Sequence, residues 1–215
     1  MSGMMLNIAG GSFAPSVPTV IGQAFGGGFY AGQIGVSSVA THYLIVGPVA
    51  SAQNTLRYKN ANTDTIGASS VIDGPQNTAD IVADGNSTVY PAAHFCNDLV
   101  IGGFSDWYLP AKNELEVCYY NLKPSTTSNL TSPGSGINAN AVPARASNYT
   151  SGDPAQTSAI DFRDTGAEDF ALDTYWSSTE NTASTAFTQD FPNGFQFGAN
   201  KYPSYRVRAI RRVAV

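Results

Sequence analysis

Apolar residues alternate with glycine and polar residues through "GGGFYAGQIGV" (26–36) and then run together in "THYLIVGPV" (41–49), with a short polar break between. Period-two alternation with aromatic and β-branched residues predicts two strands joined by a tight turn. The glycine run Gly26–Gly28 thus opens a strand. A phosphate loop needs a helix N-terminus after it, so this is not one. Residues 50–88 read as loop with short strands. "LRYKN" (56–60) is one such strand, and "ASSVIDGPQNTADIVADGNS" (68–87) is dense in turn signals.

The period then changes. In "TVYPAAHFCNDL" (88–99), Ala92, Phe95, Cys96 and Leu99 share one face at helical spacing, and Pro91 suits a first turn. "LPAKNELEVCYYNLKP" (109–124) repeats the design. Pro110 sits at the start, Leu115, Cys118, Tyr119 and Leu122 form the stripe, and Pro124 stops it. Glu114 and Glu116 fall in its N-terminal half, where the helix dipole favours anions. Residues 124–158 are a long Ser/Thr/Asn/Gly/Pro stretch, a length that is uncommon unless functional or insertional. "AIDFRDTGAEDFALD" (159–173) is acidic and half-apolar, a short helix at most. Four strands follow: "DTYWSSTEN", "STAFTQDF", "GFQFGANK" and "SYRVRAIRRV", with Asn193-Gly194 as the hairpin turn between the second and third. Strands, two helices, long loops and a closing antiparallel sheet make an α+β class.

Composition narrows the setting. Charged residues are 13% of the 215, about half of the ~25% usual in soluble domains. With 21 glycines and abundant Ser, Thr and Asn, this is the neutral-polar surface of an extracellular or virion protein. The net charge of -5 argues against nucleic acid as partner. The one basic cluster, Arg206 to Arg212, alternates with Val207 and Ala209 and reads as a solvated strand face. No run approaches the ~20 apolar residues of a membrane helix, and "MSGMMLNIAGG" has neither the charged region nor the apolar core of a secretory signal. Residues 1–20 carry no period and read as an extended arm ahead of a domain over 21–215. Cys96 and Cys118 sit among apolar neighbours. Two buried free thiols fit that pattern, and a bridge between them stays open.

"GGFSDWYLPAKNEL", followed about sixty residues later by "YWSSTEN" and the closing "YRVRAIRR", resembles the bacterial and phage C-type-lectin-like domains of the formylglycine-enzyme/DUF1566 group. The resemblance covers roughly residues 22–213. It implies a C-type-lectin-like fold: two helices on twisted antiparallel sheets, with the N- and C-terminal strands paired, here Phe29–Ile34 with Tyr205–Ile210. Asp106, Trp107, Pro110, Trp176 and Ser177 are then fold-determining. Asp106 accepts backbone N–H groups at a corner, the two tryptophans cement a small core, and Ser177 with Ser178 and Thr179 satisfies loop backbone.

Chemistry does not carry over with the fold. Formylglycine-generating enzymes use a cysteine pair late in the domain, and no cysteine follows Cys118 here. Calcium-dependent sugar-binding tripeptides are absent. A calcium site stays open only at Asp161, Asp164, Glu168, Asp169 and Asp173, which otherwise read as a solvated acidic face. His94 and Cys96 lie on different helix faces, so no Cys-His pair forms locally. No cofactor or metal is expected. Recognition remains. The segment from Ala186 to Tyr205 is rich in aromatics and amides, and Phe187, Gln189, Asn193, Gln196, Asn200, Lys201 and Tyr202 are its candidate receptor-binding residues. The resemblance implies a phage virion surface protein on tail or head, assembled in the host cytoplasm and displayed outside. It would be a homotrimer, anchored to other virion subunits through residues 1–20, binding a host glycan or protein. Two other readings stand: a decoration protein of capsid or tail, and a hydrolase or formylglycine-type enzyme.

Overall fold

A computed structural model describes residues 17–215 of the chain. Of the arm expected over 1–20, residues 1–16 thus lie outside the described residues. Val17 and Val20, just ahead of the first strand, are exposed.

Strand β1 (Ala24–Phe25) leads into the expected hairpin of β2 (Gly28–Val36) and β3 (Val39–Val46). Its turn places Ser37 and Ser38 at φ 51° and 65°. Positive φ at both central residues is what a two-residue hairpin matched to strand twist demands. A single helical turn, α1 (Val49–Ala52), runs into β4 (Gln53–Arg57).

The segment read as turn-rich instead contains helix α2 (Gly74–Asp84). The Asp-Gly-Pro punctuation is its N-terminus. Asp73 caps it by accepting from Gln76 N, and Pro75 lies in the first turn, where a missing N–H is harmless. The buried stripe is Gly74, Asn77, Thr78 and Ile81, too polar to register as an apolar period. Helices α3 (Pro91–Asn97) and α4 (Lys112–Leu122) stand where expected, with the predicted apolar stripe of α4 wholly buried. Among the described residues there are therefore four helices, not two. The acidic stretch gives only a 3-10 turn at Ile160–Phe162.

Strands β5 (Thr174–Thr182), β6 (Thr185–Asp190) and β7 (Gln196–Asn200) follow as expected. Gly194, at φ +80°, makes the β6–β7 turn, and a Cβ there would lie 2.4 Å from the Tyr119 ring. The last predicted strand is two, β8 (Ser204–Arg208) and β9 (Ile210–Ala214), broken at Ala209. They belong to different sheets. The first is antiparallel in the order β1-β2-β3-β9, and the second runs β4-β8-β5-β6-β7, with β5–β8 its one parallel pair. The chain is α+β, as expected.

The expected terminal pairing is corrected by this break. Tyr205–Arg208 pairs with β4, and β9 pairs with β3 rather than with Phe29–Ile34. Ala209 N donates to Ala52 O and Gly47 N to Ala209 O, so the crossing point is fastened on both sides. Below it, Trp176 is fully buried against Tyr58 and Tyr205, and Trp107 packs near Gly47. The long 124–158 segment is ordered against a second apolar cluster, around α4. Tyr149 meets Tyr119 at 5.7 Å, and Tyr119 donates to Asn129 Oδ1 at 2.6 Å.

Candidate functional site

The corner at 101–110 forms because Gly102 and Gly103, at φ 62° and 82°, close a bridge between Ile101 and Phe104. Trp107 follows, 2% exposed, and its indole donates to Phe104 O. Asp106 was expected to take backbone N–H groups. It takes the Arg211 guanidinium instead, through two bonds of 2.7 and 2.8 Å. Fork-to-fork geometry of this kind is the strong form of the pair. Pro110 starts the turn into α4 and its carbonyl accepts Ser178 N. Ser177 Oγ donates to Phe187 O, and Thr179 Oγ1 to Ser70 O, so the Ser-Ser-Thr run does brace backbone.

The basic cluster is not a solvated face. Arg208, Arg211 and Arg212 are turned inward, and only Arg206 is half-exposed, against Asp173. The reason lies in the acids. Each of the four glutamates of the chain holds a different cation: Glu114–Arg212, Glu116–Arg145, Glu168–Arg208 and Glu180–Lys201. Glu114 and Glu116 project from α4 into the protein and are almost completely buried. Glu114 accepts from Tyr108 OH, Arg212 Nε, Ala111 N and Gly74 N, joining the corner, α2, α4 and β9 at one carboxylate. Burial pushes its pKa up, restrained by Arg212, Tyr108 and Ala111 N. Burial pulls the Arg208 guanidinium down, and with Tyr175, Glu168 and other partners opposing it the net value is about 10.

Glu116 performs the same task for the long loop. It accepts from Tyr149 OH and Asn138 Nδ2, each at 2.5 Å, and pairs with Arg145. Burial raises its pKa, with Arg145, Tyr149 and Asn138 opposing the rise. A folded pKa above the unfolded value of about 4.3 means that the folded state binds the proton more tightly. That contribution is full below about pH 4.3 and is lost as pH climbs through the raised folded value. Chemical unfolding of the wild type and of Glu116→Gln across pH 4–7 checks this. The wild type should gain on the variant as pH falls, by up to about 1.4 kcal/mol per pH unit. A wild type that loses ground on acidification would show the ionised pair to dominate.

The seven candidate recognition residues separate. Phe187 is half-buried beneath the Lys112 ammonium at 4.8 Å, and Tyr202 is 44% exposed beside Arg57. Asn193, Gln196 and Asn200 reach the surface in part or whole. Phe195, an aromatic of the same segment outside the seven, is exposed and stacks on Phe197 at 5.2 Å. Gln189 and Lys201 do not belong to this surface. Gln189 is fully buried and its amide donates to Gly194 O inside the hairpin. Lys201 is fully buried because its ammonium is caged by Thr63 O, Ala183 O and Glu180. Lys59 and Lys123 likewise donate to loop carbonyls.

Away from this hairpin, Arg145 lies over the Tyr120 ring at 4.0 Å. The two together divide a pair of clefts. The larger, about 230 Å³, adds Ser147, Asn148, Tyr149 and Asp153. The smaller, about 80 Å³, is lined by Gln33, Asn121, Val142 and Pro143 among others. Neither Arg145 nor Asp153 figured among the sequence candidates. The only sequence signal was the length of the loop that carries them.

Residues 59–211 match the family model described as the Lcl C-terminal domain. The chain belongs to this family. The match spans the corner, α4, the cleft loop and the β6–β7 hairpin, and it ends at Arg211, the partner of Asp106. No curated protein matches the chain. In this Lcl C-terminal domain three of the carboxylates left open for calcium have partners within the protein. Glu168 holds Arg208 and the N–H of Val49, Asp173 faces Arg206, and Asp169 accepts from Thr165 N. Among the described residues no three of His, Cys, Asp and Glu gather around one point. Cys96 and Cys118 are free and buried, and burial pushes both thiols up, away from reactive thiolate. His94 Nε2 is bonded to Gly85 O at 2.7 Å. Among the described residues no helix is long and apolar enough to cross a membrane.

Proposed function

We propose that this Lcl C-terminal domain is C-type-lectin-like and acts as a non-enzymatic recognition module of a virion surface protein, binding a host cell-surface glycan or protein. The observation that carries the recognition role is the commitment of every glutamate to its own cation. Acid–base catalysis by paired carboxylates needs groups that face a substrate, and these four face the fold. What the domain offers outward is a face of Phe187, Phe195, Gln196, Asn200 and Tyr202 on β6–β7 and the turn after it. Aromatic anchors among amides suit an adaptable contact surface. The virion setting, a trimer and attachment through residues 1–20 rest on the resemblance described above.

Flow cytometry of labelled protein on a panel of bacterial cells tests this reading. Wild type should bind at least one strain, and Phe195→Ala with Tyr202→Ala should weaken binding about tenfold or more at unchanged melting temperature. Wild type that binds no strain, or a variant that binds equally well, would remove the role. A particle in which this face is buried against a neighbouring subunit would make the protein a structural or decoration component instead.

A further inference from the structure

We propose that the larger cleft beside Arg145 is a second, independent binding site, one that takes a single neutral pyranose unit of a polysaccharide. Its construction is the first argument. The loop residues Asn138, Arg145 and Tyr149 are all fixed from below by one buried carboxylate, Glu116. Buried ion pairs add little net stability compared with apolar packing, so their worth lies in holding groups in place. Here they hold the rim of a cleft in its binding geometry before any ligand arrives, which lowers the cost of ordering on association.

The donors and acceptors are the second argument. Arg145 lines the cleft, with its Nη2 held by Glu116 from below. Asn148 is exposed, with its carbonyl accepting Gly134 N, which leaves the amide N–H groups for the cleft. Asp153 lines the same cleft, is exposed, and its carboxylate accepts only from the Tyr120 hydroxyl, at 3.3 and 3.4 Å. Amide donors and a free carboxylate lining one cleft match vicinal hydroxyls, each of which donates one hydrogen bond and accepts others.

Charge decides the class. The Arg145 cation is already balanced by Glu116, whereas Asp153 has no cationic partner among the described residues. The mouth is therefore net negative, hostile to sulfate or carboxylate and welcoming to hydroxyl. Size sets the scale, because about 230 Å³ is below the ~300 Å³ at which drug-sized pockets begin. One sugar ring fits that scale, and a folded peptide segment does not.

Amide NMR of the labelled protein tests the site, titrated with trisaccharides of glucose, galactose, mannose and N-acetylglucosamine and with heparin oligosaccharide as the anionic control. At least one neutral sugar should shift the resonances of 145–149 and 153 saturably. Asn148→Ala and Asp153→Ala should each weaken that sugar about tenfold without lowering the melting temperature, and Phe195→Ala should leave it unchanged. The proposal falls if no neutral sugar moves these resonances, if heparin binds the cleft more tightly than any neutral sugar, or if the shifts map to β6–β7 alone. The last result would leave the hairpin as recognition surface and remove only the cleft. Cell binding lost with Phe195→Ala but sugar binding kept would separate the two in the other direction.

Discussion

Glu114→Ala should lower the unfolding free energy by about 3–5 kcal/mol. A domain whose total stability is about 5–15 kcal/mol would lose a large share of it. The size follows from what the carboxylate serves. Four donors converge on it, from Tyr108, Arg212 and the backbones of Ala111 and Gly74. Removing it strands the Tyr108 hydroxyl and the N–H groups of Ala111 and Gly74 and takes one acceptor from Arg212, and a buried donor left without a partner costs about 1–3 kcal/mol. Arg212 also donates to Ile72 O and lies 3.5 Å from Asp73, so some of its charge stays compensated. Urea unfolding at pH 7 measures the loss as a fall in midpoint at constant slope. Glu116→Ala is the comparison. Arg145 keeps 17% of its side chain in solvent and Glu116 serves one loop, so its loss should be the smaller of the two. Equal stability of Glu114→Ala and wild type would mean that the network is incidental.

Trp176→Ala should cost about 3–5 kcal/mol, through a cavity rather than a charge. The ring is completely enclosed, with Tyr205 at 4.9 Å and Tyr58 at 5.6 Å, and its indole donates to Leu56 O. It thus ties β5 to β4 across β8, inside the sheet that carries the β6–β7 hairpin. Trp176→Phe retains much of the ring and loses only the N–H and part of the volume, so it should recover most of the stability. Thermal unfolding of the two variants separates the contributions. A phenylalanine variant as unstable as the alanine one would place the effect in the indole hydrogen bond.

Several elements were legible because their cause is local. The β2–β3 hairpin followed from alternation and a two-residue polar turn, α4 from its stripe and bracketing prolines, and the β6–β7 turn from Asn193-Gly194. Helix α2 was not legible, because its buried face is Gly74, Asn77 and Thr78 with Ile81 the one large apolar residue. The two polar residues are buried for their hydrogen bonds. Asn77 donates to Ser70 O and Ser178 Oγ, and Thr78 Oγ1 bonds both Leu109 N and Leu109 O. A polarity pattern reads such positions as surface. Two of the seven candidate recognition residues lie off the surface for a related reason. Period two within β6 and β7 marks which positions alternate, but Gln189 and Lys201 are drawn inward by acceptors from distant segments.

The sequence by itself determined the α+β class, most strand and helix positions and the aromatic hairpin, because propensity, periodicity and turn chemistry act over a few residues. The tertiary structure alone decided where the charges go. Arg208 and Arg212 sit in a stretch that alternates as a surface strand does. The break at Ala209 sends them into two sheets, and each finds a glutamate 40 and 98 residues earlier in the chain. A buried charge is stable only beside a partner, and partners at that separation meet only once the chain has folded.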